Sequence, residues 1–255
     1  MYTTKDFDYN PAGGGVYTLK TGVPDIASGL LSTVYGTVGR KPGAQTAYPG
    51  VPKFKDINND GVVNTSDIGI IGNMNPKHTG GFSLSGNYKD FDFGMDFNWS
   101  YGNDIYNANK IELNAAYYKY RNMLSSEVNS YTQIDWETGN RVTDVPTLTA
   151  MNANATTWAA PTGRYATTSW AIEDGSFLRL NNLTLGYTVP AKITKKFYVQ
   201  KLRLYATGYN LFILTNYSGY DPEVDSRRST PATPGVDYSA YPKSRSFNFG
   251  VNLTF

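Results

Sequence analysis

The sequence contains no cysteine, a single histidine and no long hydrophobic run. The absence of cysteine excludes disulfide bonds, thiolate metal sites and cysteine nucleophiles. No apolar segment approaches the roughly 18 residues that a membrane-spanning helix requires, so a helical membrane protein is excluded. Charged residues make up only 17% of the chain, and its net charge of +2 comes without a basic stripe. A nucleic-acid partner is therefore not expected.

The chain also lacks the residue patterns of an enzyme active site. His78, the one histidine, lies in a polar Pro-Lys-His-Thr-Gly segment without a nucleophile elbow nearby. Glu173 and Asp174 are adjacent, and neighbouring carboxylates on a strand point apart instead of forming an acid/base pair. There is no glycine-rich phosphate loop. We therefore predict no catalytic residue and no enzymatic activity.

The residues that are abundant favour β-structure. The 21 Tyr and 12 Phe suit pleated, half-buried surfaces, while 25 Gly and 13 Pro supply turns. Alternation of apolar and polar residues predicts strands over 82–88, 91–101, 177–189, 202–211 and 246–255. The strand over 91–101 is about as long as a tilted strand that crosses a bilayer. In the strand over 177–189 the alternation changes phase at Asn181, which indicates either a bulge or the point where the strand leaves the membrane.

The last strand alternates without exception. Phe247, Phe249, Val251, Leu253 and Phe255 share one face, and Ser246, Asn248, Gly250, Asn252 and Thr254 share the other. In a soluble sandwich such an apolar face would cover a core. The polar faces of the clearest strands, however, are rich in Asn, Ser, Thr, Gly and Asp with few Lys or Glu, which favours the water-filled lumen of a membrane barrel.

An Asp/Asn-rich segment at 54–67 has the spacing of a calcium loop. DINNDGVVNTSD places oxygen ligands at alternating positions, with Gly61 at the sharp turn, and the candidate ligands are Asp56, Asn58, Asp60, Val62 through its carbonyl, Asn64 and Asp67. The last position is Asp instead of the bidentate Glu of an EF-hand, and no clear helices flank the loop. Calcium is thus the one cofactor that the sequence indicates, and a metal-free turn rich in Asn and Asp is the alternative.

Four ordered blocks of the sequence resemble the carboxy-terminal third of SusC/RagA-type TonB-dependent transporters. In chain order they are KFKDINNDGVVNTSDIGIIGNMNPKHTGGFSLSGNYKDFDFGMDFNWSYGNDIYN, GSFLRLNNLTLGYTVP, LYATGYNLFILTNYSGYDPEV and GVDYSAYPKSRSFNFGVNLTF. Together they cover most of residues 54–255. The resemblance implies an all-β fold, namely the last strands of an antiparallel, 22-stranded transmembrane β-barrel with long extracellular loops. It also implies import of oligosaccharides, or of peptides, across the bacterial outer membrane.

The resemblance further implies partners that this chain does not contain. These are a SusD-like surface lipoprotein, the remainder of the barrel and the plug, TonB reached through the missing amino-terminal part, and outer-membrane lipid. Because five strands cannot close such a wide barrel, we expect the chain to be a fragment, a separately numbered piece or a split gene product. Residues 1–81 are then an extracellular region with short strands, and residues 82–255 hold the barrel strands and the extracellular loops 102–175 and 212–243.

Further expectations concern aromatic residues. Trp158, Tyr165, Trp170 and Tyr220 lie on the expected extracellular loops and are candidates for stacking on sugar rings, or for packing against the lipoprotein or one another. Phe255, a terminal aromatic on an alternating strand, resembles the signal read by the outer-membrane assembly machinery. The competing interpretation of the whole chain is a soluble calcium-binding β-sandwich or adhesin module.

Overall fold

The computed structural model describes residues 1, 3–10, 16–26, 49–114, 120, 122–159, 168–223 and 234–255. Its strands are β1 Phe7–Asn10, β2 Val16–Leu19, β3 Asp25–Ile26, β4 Val62–Val63, β5 His78–Tyr88, β6 Phe91–Tyr101, β7 Asp104–Asn107, β8 Ile172–Asp174, β9 Phe177–Thr188, β10 Lys201–Thr215, β11 Val236–Asp237 and β12 Ser246–Thr254. The α-helices are α1 Ala108–Leu113, α2 Val145–Met151 and α3 Ala191–Thr194, with 3-10 helices at Thr4–Asp6, Thr65–Asp67, Ser125–Asn129, Ser169–Ala171 and Lys195–Phe197. Strands predominate, in agreement with an all-β class. None of the helices in the described part of the chain is long and apolar enough to span a membrane.

The chain divides into two compact units. The first comprises residues 1–70 and 110–168, and the second comprises residues 71–109 and 169–255. This division differs from the boundary after residue 81 that the sequence suggested. Residues 122–159, which belong to the extracellular loop expected over 102–175, pack with the amino-terminal segment around a shared core.

The core of the first unit is formed by residues from both of its chain segments. Phe7, Val51, Tyr131 and Leu148 are all buried, and Leu148 belongs to α2. This helix begins after Asp144, whose Oδ2 accepts a hydrogen bond from the backbone N–H of Thr147 at 2.9 Å. Two short pairings complete the unit: β1 with β2 antiparallel, and β3 with β4 parallel.

The second unit is built on a five-stranded antiparallel sheet in the order β12-β10-β9-β6-β5. A two-residue turn at Lys89 and Asp90 joins β5 to β6, and residues 189–200 join β9 to β10; these lie at what we call the short-turn end. The connections from β6 to β9 and from β10 to β12 leave the opposite, long-loop end. Lys89 adopts the left-handed conformation, at φ 54°, that such a tight hairpin turn favours.

The strand bounds differ from the sequence expectation mainly at the long-loop end. β5 begins at His78 instead of Phe82, and β10 continues to Thr215 instead of ending at Leu211. β9 ends at Thr188 and β12 ends at Thr254, one residue earlier than expected in each case. The extra residues of β5 are glycine and polar residues, which carry no hydrophobic alternation and so gave no strand signal.

A bulge at Asn181 explains the change of phase in β9. Leu180 pairs with Phe97 and Asn182 pairs with Asp96, so Asn181 is the extra residue opposite β6. On the other side of β9, β10 places two residues, Asn210 and Leu211, opposite Asn181. The bulge therefore returns Leu178 and Leu180 to the face that carries Leu183 and Leu185.

A three-stranded sheet, β11-β7-β8, lies in the same unit. Its core contains Ile105, which is 1% exposed, together with the buried polar side chains of Asn107 and Asp237. The sheet holds together three segments that are far apart in sequence. It thereby organises the connections that leave the long-loop end.

Candidate functional site

The five-stranded sheet has two chemically different faces. The first, called the apolar face, carries large hydrophobic side chains on every strand: Phe82, Leu84 and Tyr88; Phe91, Phe93, Met95, Phe97 and Trp99; Leu178, Leu180, Leu183, Leu185 and Tyr187; Leu202, Leu204, Phe212 and Leu214; and Phe247, Phe249, Val251 and Leu253. The second, called the polar face, carries Asp92, Asp96, Asn98, Arg179, Asn182, Thr184, Arg203, Tyr205, Thr207, Asn248 and Asn252. Alternation within a strand separates its apolar and polar side chains, and the register between strands brings the side chains of one kind onto the same face of the sheet.

Much of the apolar face is open in the described part of the chain. Phe249 is 81% exposed, Val251 is 62% exposed and Leu185, on a central strand, is 55% exposed. A soluble sandwich would cover this face with a second sheet, and the described residues place none over it. A continuous hydrophobic surface of this extent marks contact with a membrane or with another polypeptide.

On the polar face, an ion pair crosses three strands near the short-turn end. Arg203 on β10 donates from Nε to Asp92 Oδ1 on β6 at 2.9 Å, and from its terminal nitrogen to Oδ2 at 2.5 Å. The strand between them contributes Gly186, and a Cβ at that position would collide with both partners. The absence of a side chain at Gly186 is therefore what lets the bidentate pair form across β9.

Hydrogen bonds between neutral side chains, and between neutral side chains and a carboxylate, continue the network along the polar face. Asp96 accepts hydrogen bonds from Ser83 and Asn182, the latter at 2.7 Å. The hydroxyls of Thr184 and Thr207 lie 2.9 Å apart. These contacts satisfy polar groups between adjacent strands, so the face is stabilised by its own hydrogen bonds.

At the long-loop end, a buried arginine anchors the segment that follows β10. Arg179 donates to Asp221 Oδ1 at 2.5 Å, and both side chains are at least nine-tenths buried. Its Nε also lies 2.8 Å from Glu223 Oε2, although this atom is not aligned as a hydrogen-bond donor. Glu223 is further contacted by Lys243 at 2.6 Å and by Asn98 at 3.3 Å. The Tyr-Asp-Pro-Glu segment is thus held against the polar face.

A second polar cluster connects the loops to the three-stranded sheet. The Tyr217 hydroxyl donates to the buried Asp237 carboxylate at 2.6 Å. Burial raises the pKa of Tyr217 above its ordinary range, and the hydrogen bond to Asp237 adds to the shift. Glu173 accepts hydrogen bonds from the backbone and the hydroxyl of Ser218, both at 2.9 Å. Glu173 therefore holds Ser218 in place beside β8.

The calcium-loop candidates lie in the first unit and are mostly engaged with the backbone. Asp56 accepts from Gly61 N–H at 2.8 Å, Asn58 from Asp60 N–H at 3.0 Å, and Asp60 from Val62 N–H at 2.8 Å. Asp67 caps the loop, and the backbone N–H groups of Asn64, Ile57 and Asn58 hold its pKa below the ordinary value. The second oxygen of Asp56 is buried without a hydrogen-bond partner among the described residues.

The described residues contain no group of three His, Cys, Asp or Glu side chains arranged to hold a metal. Asn58, Asn64 and the carbonyl of Val62 are the other candidate ligands, and Asn64 contributes its side-chain oxygen to Ser66 N–H. Both interpretations of the loop, a calcium site and a metal-free turn, are compatible with these contacts. The calcium site stays a prediction.

The aromatic candidates fall in different parts of the chain. Trp158 is partly exposed in the first unit, whereas Trp170, partly exposed, and Tyr220, 75% exposed, belong to the second. Tyr165 lies outside the described residues. Phe255 follows the end of β12 and is 76% exposed. Sugar stacking and an assembly signal stay predictions.

Sequence reasoning missed the roles of Arg179, Arg203 and Gly186. A signal was present for the two arginines, because each is a charged residue inside an otherwise strand-like segment and needs a partner. The partners could not be identified, since Asp221 and Asp92 lie 42 and 111 positions away in the chain. The requirement for glycine at 186 becomes apparent only when the three strands are aligned.

Comparisons with known proteins agree with the resemblance found in the sequence. No protein-family model matches the chain. TonB-dependent receptor P3 of Formosa agariphila is 34% identical over 211 residues, which are 81% of this chain and 19% of that protein. TonB-dependent receptor SusC of Bacteroides thetaiotaomicron is 29% identical over 203 residues, 79% of this chain and 17% of that protein. The chain therefore spans about a fifth of the length of these relatives.

Solved structures give the same result. A structure of the RagAB peptide transporter matches 71% of this chain and 17% of the compared chain, with a TM-score of 0.54 at 25% identity. The RagAB peptide importer in its closed-closed state matches 80% of this chain and 21% of the compared chain, with a TM-score of 0.57; at 24% identity it supports the fold alone. The resemblance to SusC/RagA-type TonB-dependent transporters is thus confirmed.

The buried anchor at Arg179 leads to a testable prediction. Arg179→Leu leaves the Asp221 carboxylate buried and unpaired, so we expect the folded protein to lose about 3–5 kcal/mol. Residues 216–223 should also become sensitive to protease. Lys243→Leu is the matched control, because Lys243 is largely exposed and contacts the same Glu223; its cost should be about 0–1 kcal/mol. Unfolding by denaturant in detergent, together with limited proteolysis, measures both effects, and equal losses for the two variants would contradict the prediction.

Proposed function

We propose, on the basis of the confirmed similarity to SusC/RagA-type TonB-dependent transporters, that this chain forms the carboxy-terminal strands of an outer-membrane transport barrel. The observation that carries the proposal is the five-stranded sheet, which has one exposed apolar face and one hydrogen-bonded polar face. In a barrel of this class the apolar face contacts lipid and the polar face lines the lumen. The short-turn end would be periplasmic and the long-loop end extracellular.

The open edges of the sheet support a larger barrel. β5 and β12 each pair with only one strand in the described part of the chain. Within a bilayer the free N–H and C=O groups along their outer edges would cost several kcal/mol each. Strands from another segment or another chain must therefore pair with β5 and β12 when the apolar face is in lipid. A 22-stranded closed barrel with an internal plug is the arrangement that the resemblance implies.

The transported cargo and the partners follow from the relatives. We infer import of oligosaccharides, or alternatively of peptides, with a SusD-like lipoprotein at the extracellular side and TonB engaged by a segment outside this chain. The first cargo is what the family resemblance in the sequence implies, and support for the second comes from the similarity to the RagAB peptide transporter. The part of this chain would be transport and not cleavage, in keeping with relatives that are TonB-dependent receptors.

The assignment of the two faces can be tested by cysteine scanning, since the chain has no native cysteine. Val251→Cys and Asn252→Cys are a matched pair on adjacent residues of β12. A fluorophore at position 251 should be quenched by lipids brominated on their acyl chains, because its side chain is expected in the hydrocarbon region. Position 252 should instead react with a membrane-impermeant thiol reagent in intact outer membranes and show little quenching.

Two outcomes would overturn this assignment. Equal quenching at positions 251 and 252 would mean that the strand does not separate lipid from lumen. Isolation of residues 1–255 as a soluble monomer that unfolds cooperatively without detergent would replace the barrel with the calcium-binding sandwich.

The partner proposal predicts co-purification. The protein extracted from outer membranes in mild detergent should retain a surface lipoprotein in a defined ratio, detectable by mass spectrometry. Arg179→Leu, by releasing the segment at 216–223 on the extracellular side, should reduce this ratio more than Lys243→Leu does. Retention of no lipoprotein by the unmodified protein would argue for a transporter that works without such a lid.

We also propose that the loop over 54–67 binds calcium on the extracellular side. The supporting observation is the buried, unpartnered oxygen of Asp56 within a loop that has calcium-ligand spacing. Calcium titration by calorimetry should give saturable binding, and Asp60→Asn should weaken it about tenfold or more, because the variant keeps an acceptor for Val62 N–H and removes one charge. Asp135→Asn, in another turn of the same unit, is the control. Absence of binding to the parent protein would identify the loop as a metal-free turn.

A further inference from the structure

The connector between β9 and β10 is unusually basic and unusually exposed. Residues 190–200 include Lys192, Lys195 and Lys196, and no Asp or Glu occurs between Asp174 and Asp221. All three lysines are exposed, and none forms an ion pair within the described part of the chain. Among the described residues, no carboxylate neutralises the positive charge of the connector, which is available to an anionic partner.

Hydrophobic side chains are interleaved with these lysines. Ile193 is 52% exposed, Phe197 is 72% exposed and Tyr198, held at φ 58°, is 91% exposed. A connector that only had to turn the chain back in water would not need three exposed apolar or aromatic side chains. Apolar groups next to lysines are typical of segments at a membrane surface, where the hydrophobic groups enter the acyl region and the ammonium groups remain at the headgroups.

A groove on the apolar face lies at the same end of the sheet. Its volume is about 440 Å³, and its floor is formed at Ala206, which pairs with Leu185 on one side and with Phe249 on the other. Phe91, Tyr187 and Leu204 also line it. Because Ala206 is small among large neighbours, the surface is recessed there. The groove lies on β9 and β10, the two strands that the basic connector joins.

We propose that the groove and the connector together form a binding site for one anionic phospholipid. One acyl chain would occupy the recess over Ala206, and the phosphate-bearing headgroup would lie against Lys192, Lys195 and Lys196. The inference rests on the proposed function, since it requires the apolar face to be in a membrane. The lysines select an anionic headgroup over a zwitterionic one, because no carboxylate in the connector offsets their charge.

The site can be tested by fluorescence with the purified protein in non-ionic detergent. Gln200→Cys introduces the only thiol in the chain, at an exposed position in the connector, and carries an environment-sensitive dye. Phosphatidylglycerol should give a saturable signal and should bind about tenfold or more tightly than phosphatidylcholine of equal chain length. Glycerol 3-phosphate, which has the phosphate without the acyl chains, should not saturate in the same concentration range.

Four sets of substitutions, one of them a control, separate the contributions of headgroup and acyl chain. Lys192→Gln, Lys195→Gln and Lys196→Gln combined should remove the preference for phosphatidylglycerol, whereas the corresponding arginine substitutions should keep it. Ala206→Leu fills the recess and should weaken both lipids by a similar factor. Lys5→Gln, Lys20→Gln and Lys55→Gln combined, three exposed lysines of the first unit, form the matched control and should change neither affinity.

Equal affinity of the parent protein for the two lipids would overturn the proposal, as would an unchanged preference in the triple glutamine variant. Saturation by glycerol 3-phosphate at the same concentration as phosphatidylglycerol would identify a phosphate site without a lipid and would also overturn it. Quenching at position 251 by brominated lipids distinguishes failure of the phospholipid-site proposal from failure of the barrel proposal. If that quenching is seen and no headgroup preference is found, only the lipid site fails; if it is not seen, the barrel proposal itself fails.

Discussion

The cross-strand register of the five-stranded sheet is the constraint on which the rest of the structure depends. Because side chains alternate with a period of two, a slip of one residue on any strand would move its hydrophobic set to the polar face. The bulge at Asn181 lies opposite Asn210 and Leu211 of β10, so the faces stay separate on both sides of the irregularity. The phase change in β9 therefore keeps the hydrophobic side chains of β6, β9 and β10 on the same face of the sheet.

With this register, the polar face carries two ion pairs, one near each end of the strands, and the two pairs have different roles. At the short-turn end, Arg203 reaches Asp92 because Gly186 leaves room between them. At the long-loop end, Arg179 turns instead to Asp221, a residue outside the sheet. The first pair binds strands to one another, whereas the second binds a loop to the sheet. Both pairs are charge-assisted, but only the second is buried enough that loss of one partner would be severe.

The sequence predicted the structural features that follow from the pattern of neighbouring residues, such as strands and the bulge. Alternation identified the strand of Phe91–Tyr101 and the phase change at Asn181, since both are visible within a few positions. It did not identify the amino-terminal part of β5, where Gly80 and Gly81 replace the hydrophobic signal. Nor did it predict the helix Val145–Met151, whose Leu148 is buried in the core that includes Phe7 and Val51. Contacts between distant segments, including the ion pairs, cannot be read from local pattern.

The distribution of carboxylates distinguishes the polar face from the connector between β9 and β10. Asp92, Asp221 and Glu223 each accept an arginine or a lysine, so the polar face and its attached loop neutralise their own cations. The connector between β9 and β10 contains cations and no carboxylate. Since its aromatic residues Phe197 and Tyr198 are also exposed, unpaired charge and exposed hydrophobic surface occur in the same connector. An anionic membrane surface can bind the lysine side chains and also bury the hydrophobic ones, whereas bulk water solvates only the charged groups.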